Sequence, residues 1–100
     1  MIRSKKLRDS ARNEDCTLQI AGVCTYDSST TILAHFPHES HGTALKATDV
    51  SSGYACQACH DAIDNRVMDA ISKEDREFYM RRAQIRTLER FVDKGLVRVL

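Results

Sequence analysis

The last third of the chain carries the clearest periodic pattern of apolar residues. Four of them recur at helical spacing, which is typical of a helix that buries one face: Phe78, Ile85, Leu88 and Val92. Ser72 belongs to the residue types that cap helix N-termini, and Gly95 to those that end helices. The pattern predicts a long C-terminal helix over residues 72–95, with this apolar stripe facing the core.

Two shorter segments have the composition of strands. Residues 30–34 are mostly β-branched or apolar and place His35 at their end, and residues 54–56 predict a second short strand. Residues 17–20 alternate polar and apolar side chains, which predicts a third, half-buried strand.

The remaining segments complete the expected fold. Residues 1–12 predict a basic N-terminal arm or a short helix, and residues 37–49 predict a loop. A helical pattern begins at Cys59, and Asp61 is expected to be a carboxylate of its first turn. With 100 residues and no internal repeat or linker, the chain is expected to form a single α+β domain over residues 1–100.

The composition gives such a domain a thin core. Apolar residues make up 42% of the chain, aromatic residues 6%, and there is no Trp. Chains of this size often need a disulfide or a structural metal. No apolar run approaches the ~18 residues that a membrane-spanning helix needs, and the N-terminus lacks the apolar region of a signal peptide. We therefore expect a cytoplasmic, reducing location, where cysteine pairs favour metal binding over disulfides.

Charge divides the chain into three regions. Residues 1–12 and 78–100 each carry a net charge of +4, whereas residues 13–77 carry −7. Basic ends suit a phosphate backbone and an acidic centre suits cations, although ordinary solvated surfaces give the same pattern. For the arginines of the last helix, solvent exposure or pairing with Glu89 and Asp93 is the alternative. The candidate nucleic-acid contacts are Arg3, Lys5, Lys6, Arg8, Lys46, Arg82 and Arg86.

Four cysteines form two pairs along the chain. Cys56 and Cys59 are separated by two residues, and Cys16 and Cys24 by seven. A C-x2-C turn directs two thiolates at one ion, and a second pair completes the tetrahedron that Zn²⁺ prefers. The cysteines therefore predict a structural zinc site that closes a long loop and contributes much of the folding free energy. For Cys16 or Cys24, a buried cysteine without metal is the alternative.

A histidine and an aspartate follow the second cysteine pair. His60 and Asp64 are four residues apart, so a helix places them on one face, where they can hold a divalent cation. The alternatives for His60 are a further zinc ligand or a helix cap. His35 ends a predicted strand, and near such a cation its imidazole can deprotonate water for attack on phosphorus. A purely structural histidine is the alternative there.

These residues together resemble a known family. The similarity is to the YbcO-like family of prophage-encoded nucleases and to the wider HNH (ββα-metal) superfamily, and it covers most of the chain. It is carried by Cys16 and Cys24, by Ala34-His35, and by Tyr54-Ala55-Cys56-x2-Cys59-His60-Asp61-x2-Asp64. The resemblance implies a small zinc-stapled ββα-metal fold. It also implies His35 as general base, His60 and Asp64 as ligands of a catalytic Mg²⁺ or Mn²⁺, and Asp49 near the Asn that orders the loop holding the base.

Three features depart from that family pattern. Residue 34 is Ala where many HNH enzymes have a metal ligand, Asp49 stands where Asn is usual, and the first cysteine pair is x7 rather than x2. The cation would have as few as two protein ligands, with Asp49, His38 or His41 as candidates for a third. Mg²⁺ tolerates this because it keeps several waters. Solvent exposure is the alternative for His38 and His41.

Two functions follow from the sequence. The first is a metal-dependent endonuclease that hydrolyses DNA phosphodiester bonds, with salt-sensitive backbone contacts and little sequence preference. The second is a non-catalytic zinc module that binds nucleic acid or a phage or host protein, such as a recombination or replication partner, and the incomplete cation shell favours it. A thiol-redox role for Cys56 and Cys59 lacks the expected βαβ context. The oligomeric state stays open.

Overall fold

Short local signals set the helices and strands of the computed structural model, which describes residues 1–37, 48–64 and 70–100. His38, His41 and Lys46 lie outside the described residues, as does most of the predicted loop. In chain order the elements are helix α1 (Lys5–Asp9), a 3-10 helix (Ser28–Thr30), strand β1 (Ile32–His35), strand β2 (Ser52–Ala55), helix α2 (Gln57–Ile63) and helix α3 (Lys73–Asp93).

Serine side chains mark where two of the helices begin. Ser72 caps α3 by accepting a hydrogen bond from the Asp75 N–H at 3.1 Å, and Ser4 caps α1 in the same way. Gly95, with φ of +73°, lies just past the end of α3. The long C-terminal helix is therefore confirmed, and the basic N-terminal segment contains a short helix.

Helix α2 begins two residues earlier than its pattern predicts. Its N-cap is Cys56 and its first residue is Gln57, so Asp61 lies beyond the first turn. There Asp61 accepts a hydrogen bond from the Gln57 side-chain amide at 2.9 Å, and its expected role at the helix start is wrong. A cysteine N-cap makes no side-chain hydrogen bond here, which removes the usual signal for a helix start.

The two strands form an antiparallel sheet. Ile32 pairs with Ala55 and His35 pairs with Ser52, so the end of β1 lies beside the start of β2. The chain leaves β2 at the opposite end of the sheet and enters α2 there. The fold class is α+β, with a two-stranded sheet and a long C-terminal helix, as predicted.

The predicted third strand at residues 17–20 is absent. Gln19 has a φ of +46°, which breaks the extended backbone and lets Leu18 and Ile20 both enter the core. Thr17 keeps one sheet-like contact, because its N–H donates to the Tyr54 carbonyl oxygen at 2.8 Å. Tertiary packing overrides the alternating pattern in this segment.

Helix α3 packs on β2 with a different face from the predicted one. The expected stripe is exposed, with Phe78 59% and Ile85 55% accessible and Leu88 and Val92 also exposed. The buried residues of the helix are Met80, Ala83, Thr87 and Phe91. The helix approaches the sheet closely at Ala83, which is small, and at Thr87, whose hydroxyl accepts a hydrogen bond from the Tyr54 N–H. None of the helices in the described ranges is long and apolar enough to cross a membrane.

The close approach of α3 to the sheet depends on a glycine. A Cβ atom at Gly53 would lie 2.7 Å from the Phe36 ring and 3.0 Å from the Ala83 side chain. The core around this contact contains the cysteines together with Leu18, Ile20 and Ala62, and a second core cluster is formed by Leu7, Leu33, Tyr54 and Phe91 with Ala11. The two strands are thus covered by apolar groups from several segments of the chain.

Candidate functional site

The four cysteines come together in the structure. Their Sγ atoms all lie within 4.8 Å of one another, and Cys16, Cys56 and Cys59 are buried while Cys24 is partly exposed. Within the ranges that the structure describes, this is the only group of three or more potential metal ligands so close together. The two sequence-distant pairs therefore meet, as the zinc hypothesis requires.

Local backbone geometry aims both pairs at the same point. Cys56 is the N-cap of α2 and Cys59 lies in its first turn, so the C-x2-C turn is the start of a helix. In the other pair, the Cys24 N–H donates to the Ile20 carbonyl oxygen at 2.9 Å, and Gly22 supplies the positive φ of +76° that this turn needs. The seven-residue spacing is thus taken up by a turn that returns Cys24 towards Cys16.

The cluster has dimensions that fit a tetrahedral zinc ion. A tetrahedron with Zn–S bonds of about 2.3 Å has sulfur–sulfur edges of about 3.8 Å, and the Sγ atoms of Cys24 and Cys56 are 3.8 Å apart. Without a cation the thiols ionise unevenly. A hydrogen bond from Cys59 lowers the pKa of Cys16 to about 5, whereas burial raises the pKa of Cys24 to about 11. A divalent cation would remove this conflict by neutralising neighbouring thiolates.

His35 forms a close pair with a buried carboxylate. It is the last residue of β1, its side chain is 27% exposed, and its Nε2 lies 2.7 Å from Oδ1 of Asp49. Asp49 is fully buried in the turn before β2, where its carbonyl oxygen accepts a hydrogen bond from the Ser52 hydroxyl at 2.6 Å. The antiparallel register brings the two residues to the same end of the sheet.

Asp49 also receives contacts from the N-terminal segment. Its Oδ2 accepts hydrogen bonds from the Ser4 N–H and from Arg8 Nη1, the latter at 2.8 Å, and Arg3 Nη1 lies 3.5 Å from Oδ1. Burial acts to raise its pKa, but hydrogen bonds from His35 and Ser4 and the charges of Arg3 and Arg8 hold the pKa of Asp49 below its usual value. Because both oxygens are engaged, Asp49 is a poor candidate for the third ligand of a cation.

His60 and Asp64 form a second histidine–aspartate pair, on helix α2. His60 Nε2 lies 3.0 Å from Asp64 Oδ2 across one turn of α2, with Asp64 as the C-cap of the helix. The two side chains are 16% and 35% exposed, so solvent reaches them. In the part of the chain that the structure describes, neither His35 nor His60 belongs to a group of three or more residues that could hold a metal ion. The predicted one-turn arrangement of His60 and Asp64 is present in the helix.

Several of the predicted nucleic-acid contacts already bind groups within the protein. Arg3 and Arg8 contact Asp49, and Lys5 pairs with Asp9 at 2.7 Å. Arg82 donates to the Leu18 carbonyl oxygen at 2.8 Å and lies 5.3 and 5.1 Å from the ring centres of Phe78 and Tyr79. Arg86 is exposed and makes two long contacts, to the Thr17 carbonyl oxygen at 3.5 Å and to Gln19 Oε1 at 3.4 Å, and Lys6 is exposed.

The helix arginines do not all find the partners expected from spacing. Arg90 pairs with Glu14 at 2.9 Å, and Lys94 contacts the same carboxylate, rather than Glu89 or Asp93 on the helix itself. This link between α3 and the segment before Cys16 has no local signal in the sequence. The same is true of the contacts between residues 3–8 and Asp49.

These features define a small α+β protein with a four-cysteine cluster and two separate histidine–aspartate pairs. Comparison with known proteins identifies it further: the chain belongs to the YbcO family, whose model is described as "Putative nuclease YbcO" and matches residues 5–96.

Individual relatives agree with this family. The chain is 43% identical over 61 residues to "Putative nuclease YbcO" of Escherichia coli (strain K12), and equally to the protein of the same name from Enterobacteria phage 82. The matched segment covers 60% of this chain and 64% of each relative. The fold is also similar, with a TM-score of 0.77 and 29% identity, to a solved "putative bacteriophage protein" from Escherichia coli, over 90% of this chain and 100% of that chain.

Proposed function

We propose that this protein is a metal-dependent nuclease of the HNH (ββα-metal) type that hydrolyses phosphodiester bonds in DNA. Nuclease activity in general is supported by the names of the family and of its relatives. The specific proposal rests on one observation, the hydrogen bond of His35 Nε2 to the buried carboxylate of Asp49.

That hydrogen bond assigns the proton on the imidazole. An ionised carboxylate only accepts hydrogen bonds, so Nε2 of His35 must be the protonated nitrogen when the ring is neutral. Nδ1 then has the free lone pair and can accept a proton from water. A partly exposed ring beside a buried carboxylate is a common arrangement for a general base.

The reaction then follows from this assignment. His35 Nδ1 takes a proton from a water molecule, whose oxygen attacks phosphorus while the bond to the leaving sugar oxygen breaks. A Mg²⁺ or Mn²⁺ held by His60 and Asp64 would neutralise the charge that develops on the phosphate and the leaving oxygen. Ala34 is buried and its side chain has no atom that could bind a metal, so His60 and Asp64 are the residues that would hold the cation.

The cysteine cluster has a structural role in this proposal. Zn²⁺ on Cys16, Cys24, Cys56 and Cys59 would join the segment before β1 to the start of α2. It would thereby fix the helix that bears His60. Exposed Lys5, Lys6 and Arg86 would contact the DNA backbone without reading sequence; Lys46 is retained as a further candidate.

The test is nicking of supercoiled plasmid by wild type and His35→Ala, each with and without Mg²⁺ or Mn²⁺. Wild type should nick only with metal, and H35A should lose at least about 100-fold, the lower range for a general base. Thermal melting of both proteins controls for folding. Equal nicking by the two proteins contradicts the proposal.

The alternative is a non-catalytic zinc module that binds nucleic acid or a phage or host protein. The absence of a third cation ligand beside His60 and Asp64 among the described residues favours it. It predicts metal-independent DNA affinity that H35A leaves unchanged, with no nicking by either protein.

A further inference from the structure

The N-terminal segment binds the turn that carries Asp49 by backbone as well as side-chain contacts. The Ile2 N–H donates to Thr48 Oγ1 at 3.1 Å, and the Asp49 N–H donates to the Ile2 carbonyl oxygen at 2.7 Å. The Ser4 N–H and Arg8 Nη1 also donate to Oδ2 of Asp49, while His35 contacts Oδ1. These contacts join residues that are 41 to 47 positions apart in the sequence.

This arrangement satisfies a group that is otherwise costly to bury. An ionised carboxylate without solvent needs hydrogen-bond donors and opposite charge, or it takes up a proton. Here Arg8 and Arg3 supply the charge, at 2.8 and 3.5 Å, while their own side chains remain 37% and 36% exposed. The groups facing Asp49 are thus one imidazole from β1 and two guanidinium groups from the N-terminal segment.

The consequence falls on His35. If Asp49 became protonated, it could donate to Nε2, and the neutral ring would then hold its proton on Nδ1. The nitrogen needed to accept a proton from water would be lost. The protonation state of Asp49 therefore decides whether His35 can act as a base.

We propose that Arg8 is a positioning residue that keeps Asp49 ionised and in place, so that Asp49 holds His35 in the Nε2–H form. This role rests on the proposed function of His35 as the base. It differs from the backbone contact predicted for Arg8 from charge alone, because Arg8 would act through Asp49 and not on DNA.

The test compares Arg8→Gln with Arg12→Gln. Arg12 is exposed and belongs to the basic region of residues 1–12, so its replacement removes an equal charge from the same part of the chain. On a short duplex, R8Q should lower kcat by about 10–100-fold, as the loss of an outer partner of a catalytic site does. When the pH is lowered, R8Q should lose its activity at a higher pH than wild type does, because Asp49 without Arg8 is more easily protonated. R12Q should leave kcat and this pH profile unchanged.

A second measurement does not depend on activity. Nitrogen-15 NMR of the zinc-loaded protein distinguishes the two neutral forms of His35, and R8Q should shift the population from the Nε2–H to the Nδ1–H form. R8Q should have no further effect on kcat in the D49N background, since Arg8 acts through the carboxylate. If R8Q does not fold, Arg8→Lys keeps the charge and is tested in the same cycle, with a smaller loss of kcat that also vanishes with D49N.

The possible outcomes distinguish the positioning role of Arg8 from the proposed nuclease function. If R8Q changes only KM and, like R12Q, leaves kcat unchanged, with the His35 spectrum also unchanged, the positioning role is overturned and the nuclease proposal stands. An R8K effect on kcat that persists in D49N overturns it equally. A nuclease that tolerates H35A, with the His35 form still controlled by Arg8, instead overturns the catalytic proposal alone.

Discussion

Single hydroxyl groups decide the contact between α3 and the sheet. Thr87 is fully buried, and its Oγ1 accepts a hydrogen bond from the Tyr54 N–H at 3.0 Å and lies 2.9 Å from the Thr17 hydroxyl. A polar residue on the buried side of a helix therefore completes the hydrogen bonding of an edge of β2. Nothing in the spacing of α3 marks Thr87 as a core residue.

Replacing Thr87 by Val should destabilise the protein by about 1–3 kcal/mol, because the buried Tyr54 N–H loses its acceptor. The matched control is Thr31→Val, since the Thr31 hydroxyl is buried and has no hydrogen-bond partner among the described residues. T31V should be neutral or stabilising. Urea unfolding of the zinc-loaded proteins measures both, and a T87V variant as stable as T31V contradicts this account.

At the scale of elements, α3 shows how spacing and burial can disagree. Its exposed stripe and its buried face both repeat at helical intervals, so periodicity alone does not choose between them. The larger apolar residues predict the wrong face, because the sheet accepts a helix only where Ala83 and Gly53 allow close approach. The helix itself, with its Ser72 cap, is predicted correctly.

Alanine substitution on the two faces should therefore give opposite results to those expected from sequence. Met80→Ala should cost about 2–5 kcal/mol, as for other buried large-to-small changes, since Met80 is 5% exposed in the main core cluster. Ile85→Ala should change the stability by less than about 0.5 kcal/mol. Chemical denaturation of both variants checks the assignment, and a larger loss for I85A than for M80A would reverse it.

At the scale of the whole molecule, the cysteine cluster joins parts of the chain that are far apart in sequence. It links the segment around Cys16 to the start of α2, and several core residues pack directly around it. Three of the four clustered thiols are buried, and a cation that neutralised their thiolates would support the surrounding core. The stability of the fold is thus expected to depend on metal.

Removal of zinc with a strong chelator should lower the melting temperature sharply or unfold the protein, and added Zn²⁺ should restore it. Elemental analysis of the purified protein should give about one zinc per chain. The control is chelator already saturated with Zn²⁺. A metal-free protein with an unchanged melting temperature would show that the cysteines need no ion.

Much of the candidate site could be predicted from the sequence because its signals are local. The C-x2-C turn at Cys56, the one-turn spacing of His60 and Asp64, and the strand that ends at His35 each depend on a few neighbouring residues. The sequence also predicts that Cys16 and Cys24 meet the second pair, since four thiolates together can bind one ion. The contacts of Ser4, Arg3 and Arg8 with Asp49 could not be predicted from the sequence.

Caps, turns and ligand spacing act over a few residues, so they were enough to predict the two paired strands, helices α2 and α3, and the residues able to do chemistry. Three features instead depend on how the chain packs: the buried face of α3, the absence of a strand at residues 17–20, and the contacts of Arg3 and Arg8 with Asp49. Those outcomes depend on burial and hydrogen bonding between groups tens of residues apart. Such contacts leave no periodic trace along the chain.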